Sequence, residues 1–186
     1  CEDPASAQVL DIGCGSAFKL LKYFGDCKTL GMELSPAYEF LLERHPERTW
    51  LRSTFARPLP QGVDLVIVSD VIEHLPDPDA LLRFLGSFAW EAAVLSTPDR
   101  ELIGGDAAGP PENRCHAREW TSAEFRAYLD KSFIVEAQEV CNREQGTQLV
   151  VLRQRPAAAL GEVSGVGASA QDVGAQDVGA GHKAHA

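Results

Sequence analysis

The chain has 186 residues, 45% of them apolar and 24% charged, which is long enough for one domain with a substantial core. Its net charge of −10 at pH 7 argues against a broad nucleic-acid-tracking surface, because nonspecific affinity for phosphates comes from Lys and Arg displacing counterions. No stretch approaches the roughly 18 consecutive apolar residues of a membrane span, and the opening Cys1-Glu2-Asp3-Pro4 is acidic where an export signal would be basic. Five cysteines, an odd number without C-x-x-C spacing, predict reduced thiols in a soluble, cytoplasmic protein.

Gln8–Ile12 is a short apolar run closed by Gly13-Cys14-Gly15-Ser16; residues 17–24 then have helical spacing, which Gly25 ends. A strand over 29–34 and a helix over 36–44 follow, with Pro36 in the first turn, where its missing N–H has no partner anyway. Residues 49–53 read as a third strand. After the proline-rich crossing Arg57-Pro58-Leu59-Pro60, Val63–Ser69 is almost wholly apolar, as in a strand buried on both faces of a parallel sheet. Residues 78–88 place Leu81, Leu82 and Leu85 on one helix face, and 92–97 form the next strand. Residues 98–119 make a long polar loop rich in Gly and Pro; such loops are uncommon inside a compact domain, so this one is a site candidate. Thr121-Ser122-Ala123-Glu124 is a capping box that opens a helix through about Leu129. Strands over 133–141 and 148–153, turned at Gly146, suggest an antiparallel edge hairpin. The alternation predicts an α/β fold, a doubly wound, mostly parallel sheet of about seven strands, in a domain covering residues 1–155. Residues 156–186 are rich in Ala, Gly and Val and predict a flexible tail with no core-forming face.

The strongest local signal is Asp11 ahead of the glycine turn, followed by Glu33 at the end of the next strand. Glycines let the backbone approach a ligand, and a carboxylate at Glu33 is placed to accept both hydroxyls of a ribose. A nucleoside site follows from that pair. A nicotinamide-dinucleotide reading is disfavoured because Phe18 stands where the last small residue of G-x-G-x-x-G belongs.

The runs VLDIGCGSA, GMELSP and VDLVIVSDVIEHL, in that order, resemble the class I S-adenosylmethionine-dependent methyltransferases over about residues 8–155. The resemblance implies a Rossmann-like methyltransferase fold and S-adenosyl-L-methionine as cofactor. By the same resemblance Asp11, Gly13 and Gly15 would hold its methionine part and Glu33 its ribose. Two departures are visible: Ala17 replaces a third glycine, and Arg52-Ser53-Thr54-Phe55 lacks the Asp that often binds the adenine amino group. The adenine would then meet backbone groups near Ser53 and Thr54, with Met32 and Phe55 against its faces. Cys14, Leu34 and Asp70 complete the implied cofactor set.

The stretch Asp70-Val71-Ile72-Glu73-His74 follows the central strand, beyond whose carboxyl end ligands sit in an open α/β sheet. His74 is the expected general base, with capping of the turn by Glu73 and His74 as the structural alternative. His116-Ala117-Arg118-Glu119-Trp120-Thr121 ends the long loop, and Asp70, Glu73, His74 and His116 form a mixed N/O set suited to Mg²⁺, Mn²⁺ or Fe²⁺. This pattern is similar to the metal site of small-RNA 3′-end 2′-O-methyltransferases. It is equally similar to bacterial methyltransferases of small molecules and sugars, of the ubiquinone-type O-methyltransferase kind, which carry no established metal. The acidic composition favours the second group, so no metal is expected, and Asn113, His116 and Arg118 become acceptor-binding candidates, with Asp70, His74 and His116 as the catalytic set. Pinning of the loop to the helix start by His116 and Glu119 is the structural alternative. The expected function is transfer of a methyl group to the oxygen or nitrogen of a small metabolite or sugar; the metal-assisted RNA enzyme and a non-catalytic cofactor-binding module are the alternatives.

Overall fold

The computed structural model describes residues 3–55, 59, 62–104 and 109–156. Strands and helices alternate as β1 (Gln8–Ile12), α1 (Phe18–Phe24), β2 (Lys28–Glu33), α2 (Ala37–Arg44), β3 (Thr49–Arg52), β4 (Val63–Ser69), α3 (Pro78–Leu85), β5 (Trp90–Pro98), α4 (Ser122–Leu129), β6 (Ile134–Asn142) and β7 (Thr147–Arg153). One seven-stranded sheet has the order β3-β2-β1-β4-β5-β7-β6, parallel from β3 to β5. β7 runs antiparallel to both β5 and β6. The expected edge hairpin is present, with its second strand inserted inward and its first strand on the edge.

Side-chain alternation along the central strands separates two apolar layers. Val9, Leu65 and Ile67 join Leu20 of α1 and Leu41 of α2 in one cluster. Leu10, Ile12, Val66 and Val68 pack with Leu81, Leu82 and Leu85 of α3 and with Phe125 and Leu129 of α4. Apolar layers assigned by parity to different helices define a doubly wound sheet.

Boundaries differ from the sequence reading at α3, which ends at Leu85. Gly86 takes the cap position and donates to the Leu82 carbonyl, while Phe88 stays buried beside Phe84 from the following turn. The capping box at Thr121 forms as expected, the Thr121 hydroxyl accepting from the Glu124 N–H and the Glu124 carboxylate accepting from the Thr121 N–H. Cys14, Cys27, Cys115 and Cys141 are free thiols. Among the described residues no helix is long and apolar enough to cross a membrane. The tail expected over 156–186 lies outside the described residues apart from Pro156. A chain ending at Arg155 is expected to melt within a few degrees of the full chain, because the composition beyond it offers no face to bury. A loss of many degrees in a calorimetric scan would mean that part of the segment docks on the domain.

Candidate active site

Winding reverses at β1, with β2 and β3 to one side and β4 and β5 to the other. A reversal of this kind leaves a crevice beyond the carboxyl ends of the two strands at the switch. The segment after β1 enters it through Gly13 at φ +75° and Gly15 at φ +55°, conformations that cost an L residue roughly 1–2 kcal/mol. A Cβ built on Gly13 would lie 2.3 Å from Val71 Cγ2, so the turn packs directly on the segment after β4. A Cβ on Gly15 would meet nothing within 4 Å, so that side of the turn is open. Ala17 is also left-handed, at φ +58°, and fully buried; its strain sits where backbone strain tends to collect, at a ligand-facing turn.

Glu33 stands over this turn. One carboxylate oxygen accepts from the Gly15 N–H at 2.7 Å and the other from the Leu34 N–H at 2.7 Å. An ionised carboxylate has about four acceptor positions, so two remain for a ligand's hydroxyls. Asp11 is only 7% exposed, and among the described residues no group donates to its carboxylate. Burial first, and the nearby Glu33 second, push its pKa up to about 6, against the opposing pull of Lys19. The same surroundings push the Cys14 thiol up to about 12, through burial and then Asp11 and Glu33, which makes it an inert wall rather than a nucleophile. Further along the crevice Met32 is buried, the Ser53 N–H donates to the Glu33 carbonyl, and Phe55 packs against Phe84 at 5.4 Å between centroids. Leu34 and Thr54 are exposed.

The second half of the crevice starts at Asp70, a non-glycine residue at φ +53°, followed by a single 3₁₀ turn, Ile72–His74. Asp70 accepts from the Ser96 hydroxyl at 3.1 Å. Glu73 is 1% exposed, accepts from the Thr97 hydroxyl at 3.1 Å, and has its pKa raised, mainly by burial. His74 Nδ1 lies 2.9 Å from the Cys115 carbonyl oxygen, which can only accept. Nδ1 therefore carries the hydrogen, and Nε2 of the neutral ring presents a lone pair. His116 Nδ1 lies 2.7 Å from Oε1 of Glu119, a carboxylate 3% exposed. The Asn113 side chain spans the other end: its oxygen accepts from the Cys115 N–H at 3.0 Å, and its NH₂ lies 3.0 Å from His116 Nε2. The two imidazoles meet edge to face with centroids 4.9 Å apart. Beside His116 a cavity of about 460 Å³ is lined by Pro98, Ile103, Asn113, Glu119 and Gln145 among others.

Of the mixed N/O set, Glu73, His74 and His116 bring one ligand atom each to within 4.8 Å of one another. Asp70 does not join that group; its side chain is turned to Ser96. Four ligands are thereby reduced to three. The loop-pinning alternative is also visible: Glu119 fixes His116, and the Glu73 carbonyl accepts from the Ala117 and Arg118 N–H groups at 2.7 and 3.2 Å. The sequence assigned no role to Ser96 and Thr97, which stand in the run Ser96-Thr97-Pro98-Asp99-Arg100 that also recurs in the bacterial methyltransferases it resembles, nor to the Cys115 carbonyl or Gln145. The first three become site residues only through strand register and loop closure, and Gln145 through the β6–β7 turn, none of which leaves a residue-type signature.

A family profile described as methyltransferase domain matches residues 2–154. The chain belongs to this methyltransferase family. The fold of the methyltransferase is that of class I S-adenosylmethionine-dependent enzymes, as solved structures with low sequence identity show. A complex between the Haloferax volcanii Trm112 methyltransferase activator and a methyltransferase aligns with a TM-score of 0.62 at 18% identity, over 80% of this chain and 82% of that one. NcsB1, an O-methyltransferase from neocarzinostatin biosynthesis in complex with S-adenosylmethionine and 2-hydroxy-5-methyl naphthoic acid, aligns at 0.62 and 17%, over 82% of this chain and 50% of its own. The methyltransferase thus spans about half the length of NcsB1. The N-methyltransferase NodS of Bradyrhizobium japonicum WM9, with S-adenosyl-L-homocysteine, aligns at 0.61 and 14%, over 82% and 80%. No curated protein sequence matches significantly.

Proposed function

We propose that this methyltransferase moves the methyl group of S-adenosylmethionine to an oxygen or nitrogen of a small metabolite or sugar, in the manner of the ubiquinone-type O-methyltransferases. The observation that carries the reading is the packing of Gly13 on Val71, which brings the glycine turn against the segment that leads to His74 and its neighbour His116. The residues fit the cofactor. Asp11 is a buried carboxylate to which no group donates among the described residues, suited to a cationic amino group; Gly15 borders open space; Glu33 keeps two acceptor positions for ribose hydroxyls. Ser53, Thr54, Met32 and Phe55 would border the adenine, with Cys14 and Leu34 flanking the turn.

When bound, the cofactor supplies a sulfonium methyl open to direct displacement, a step governed above all by alignment. His74 presents the Nε2 lone pair and takes the proton of an acceptor hydroxyl there, its ring held by the Cys115 carbonyl. Asp70 buttresses the start of this turn through Ser96, and His116 walls the acceptor cavity. The chain's excess of acidic residues supports a small acceptor over a nucleic acid.

Replacing Glu33 with alanine leaves the ribose hydroxyls without their charged acceptor, and hydrogen bonds to charged groups contribute roughly 1.5–3 kcal/mol, so affinity for S-adenosyl-L-homocysteine should fall at least about tenfold. Calorimetry on the folded variant measures it; unchanged affinity would remove Glu33 from the ribose site.

A second reading is favoured by the closeness of Glu73, His74 and His116. Two imidazoles and one carboxylate are the donor types of a divalent cation such as Mn²⁺, with the Cys115 carbonyl behind His74, Glu119 behind His116 and Thr97 beside Glu73, and the Asn113 NH₂ would have to leave His116 Nε2 for an ion to enter. The burial-raised pKa of Glu73 works against it by favouring the protonated acid, a poor ligand.

A further inference from the structure

A larger cleft, of about 650 Å³, runs along the other part of the same loop and is floored by Trp120 and Tyr128, with Arg118, Lys131, Pro110 and Pro111 around it. We propose that this cleft binds an oxyanion, phosphate or carboxylate, carried on a planar or apolar body, and that this is the anionic end of the methyl acceptor. The second half of that statement rests on the reading above.

Four side chains form a ladder along the cleft. The Arg118 guanidinium sits 5.7 Å over the Trp120 ring, Trp120 stacks on Tyr128 at 5.7 Å and 25°, and the Lys131 ammonium sits 5.9 Å over Tyr128. Stacking uses the face of a guanidinium and leaves its in-plane N–H donors for an oxyanion. Among the described residues Arg118 and Lys131 make no ion pair, although the chain carries 27 acidic residues against 17 basic ones. Glu119 and Glu124 also line the cleft, and each is held in place by another group, as is Asp79 beside Tyr128. Glu124 closes the capping box, Glu119 holds His116, and Asp79 accepts from the Tyr128 hydroxyl. These carboxylates keep their charge, but three cations, Arg100, Arg118 and Lys131, line the cleft against two acids, which leaves it locally cationic in an acidic protein.

The floor is prebuilt. The Trp120 carbonyl accepts from the Gln148 side chain at 3.1 Å and from the Arg100 N–H at 3.0 Å, and the Arg118 N–H is tied to the Glu73 carbonyl. Little ordering remains to be done on binding, which favours affinity. The cleft is coupled in space to the methyl-transfer crevice through Glu119, which lines both this cleft and the cavity beside His116. A ligand anchored here by its oxyanion lies next to the cavity that His116 borders.

The test uses phenyl phosphate and benzoate as probes on the full chain, by calorimetric or NMR titration, with S-adenosyl-L-homocysteine titrated in parallel. At least one probe should bind, more weakly as salt rises, and the Arg118→Ala/Lys131→Ala double variant should weaken it by about tenfold or more while leaving homocysteine-analogue binding unchanged. Phenyl phosphate binding alone makes the group a phosphate, benzoate binding alone a carboxylate. Should the double variant fail to fold, Arg118→Gln and Lys131→Gln, both at exposed positions, serve in its place. Absence of binding by both probes, or binding untouched by these substitutions, overturns the site. Loss of S-adenosyl-L-homocysteine binding in the unsubstituted protein would instead overturn the cofactor reading.

Discussion

Replacing His74 with alanine is expected to lower turnover by roughly 10²–10⁴-fold, the usual contribution of a positioned general base, with cofactor affinity nearly intact. The expectation follows from tautomer geometry: the Cys115 carbonyl takes the Nδ1 hydrogen, so the lone pair is on Nε2. A structural capping residue would lose stability instead, so melting temperature is measured beside turnover. Chelation separates the two readings of the cluster. Activity that survives a chelator assigns His74 to proton transfer, whereas activity that vanishes and returns with Mn²⁺ or Mg²⁺ assigns Glu73, His74 and His116 to a metal. Survival is the expected outcome, because both ring nitrogens of His116 are already engaged, by Glu119 and by Asn113.

Asp11→Asn should move stability and cofactor affinity in opposite directions. Folding raises the Asp11 pKa from 3.8 to about 6, so the folded chain binds this proton more tightly than the unfolded chain. Between those two values stability therefore falls as pH rises, and above about 6 a constant penalty of order 3 kcal/mol or less remains. Asparagine removes the charge, and the ligand-free variant should be more stable at neutral pH by about 1–3 kcal/mol. A ligand's amino cation favours the ionised carboxylate, so S-adenosyl-L-homocysteine should bind the natural chain more tightly as pH rises through about 6 and then level off. In the variant this pH dependence should disappear and affinity should drop by about ten- to a hundredfold. Calorimetric titration between about pH 5 and pH 8 reads both; equal affinity and an equal pH profile in the two proteins would take Asp11 out of the cofactor site.

Local grammar was sufficient for much of the fold and for the geometry of the glycine turn. The apolar run Val63–Ser69, the capping box at Thr121 and the glycine turn each have a local cause, and each forms where its residues dictate. Glu33 was legible because its distance from the turn is set by one strand–helix–strand unit, and its carboxylate does meet the Gly15 N–H. The pairing of Asp11 with a raised pKa was not legible, since burial is a property of the assembled sheet. Nor was the choice among four metal-capable residues. The left-handed backbone at Asp70 and its bond to Ser96, a residue 26 positions away on β5, remove it from the group that Glu73, His74 and His116 form. Likewise the ladder from Arg118 to Lys131 needs α4 to pack beside the end of the long loop. Sequence by itself determined the elements, the winding of the sheet and the placing of Glu33 against the glycine turn, because these follow from periodicity and short-range backbone chemistry. Only the tertiary structure decided which nitrogen of His74 is free, which acids have their pKa raised by burial and which cations lack an ion pair among the described residues, because those depend on contacts between residues far apart in the chain.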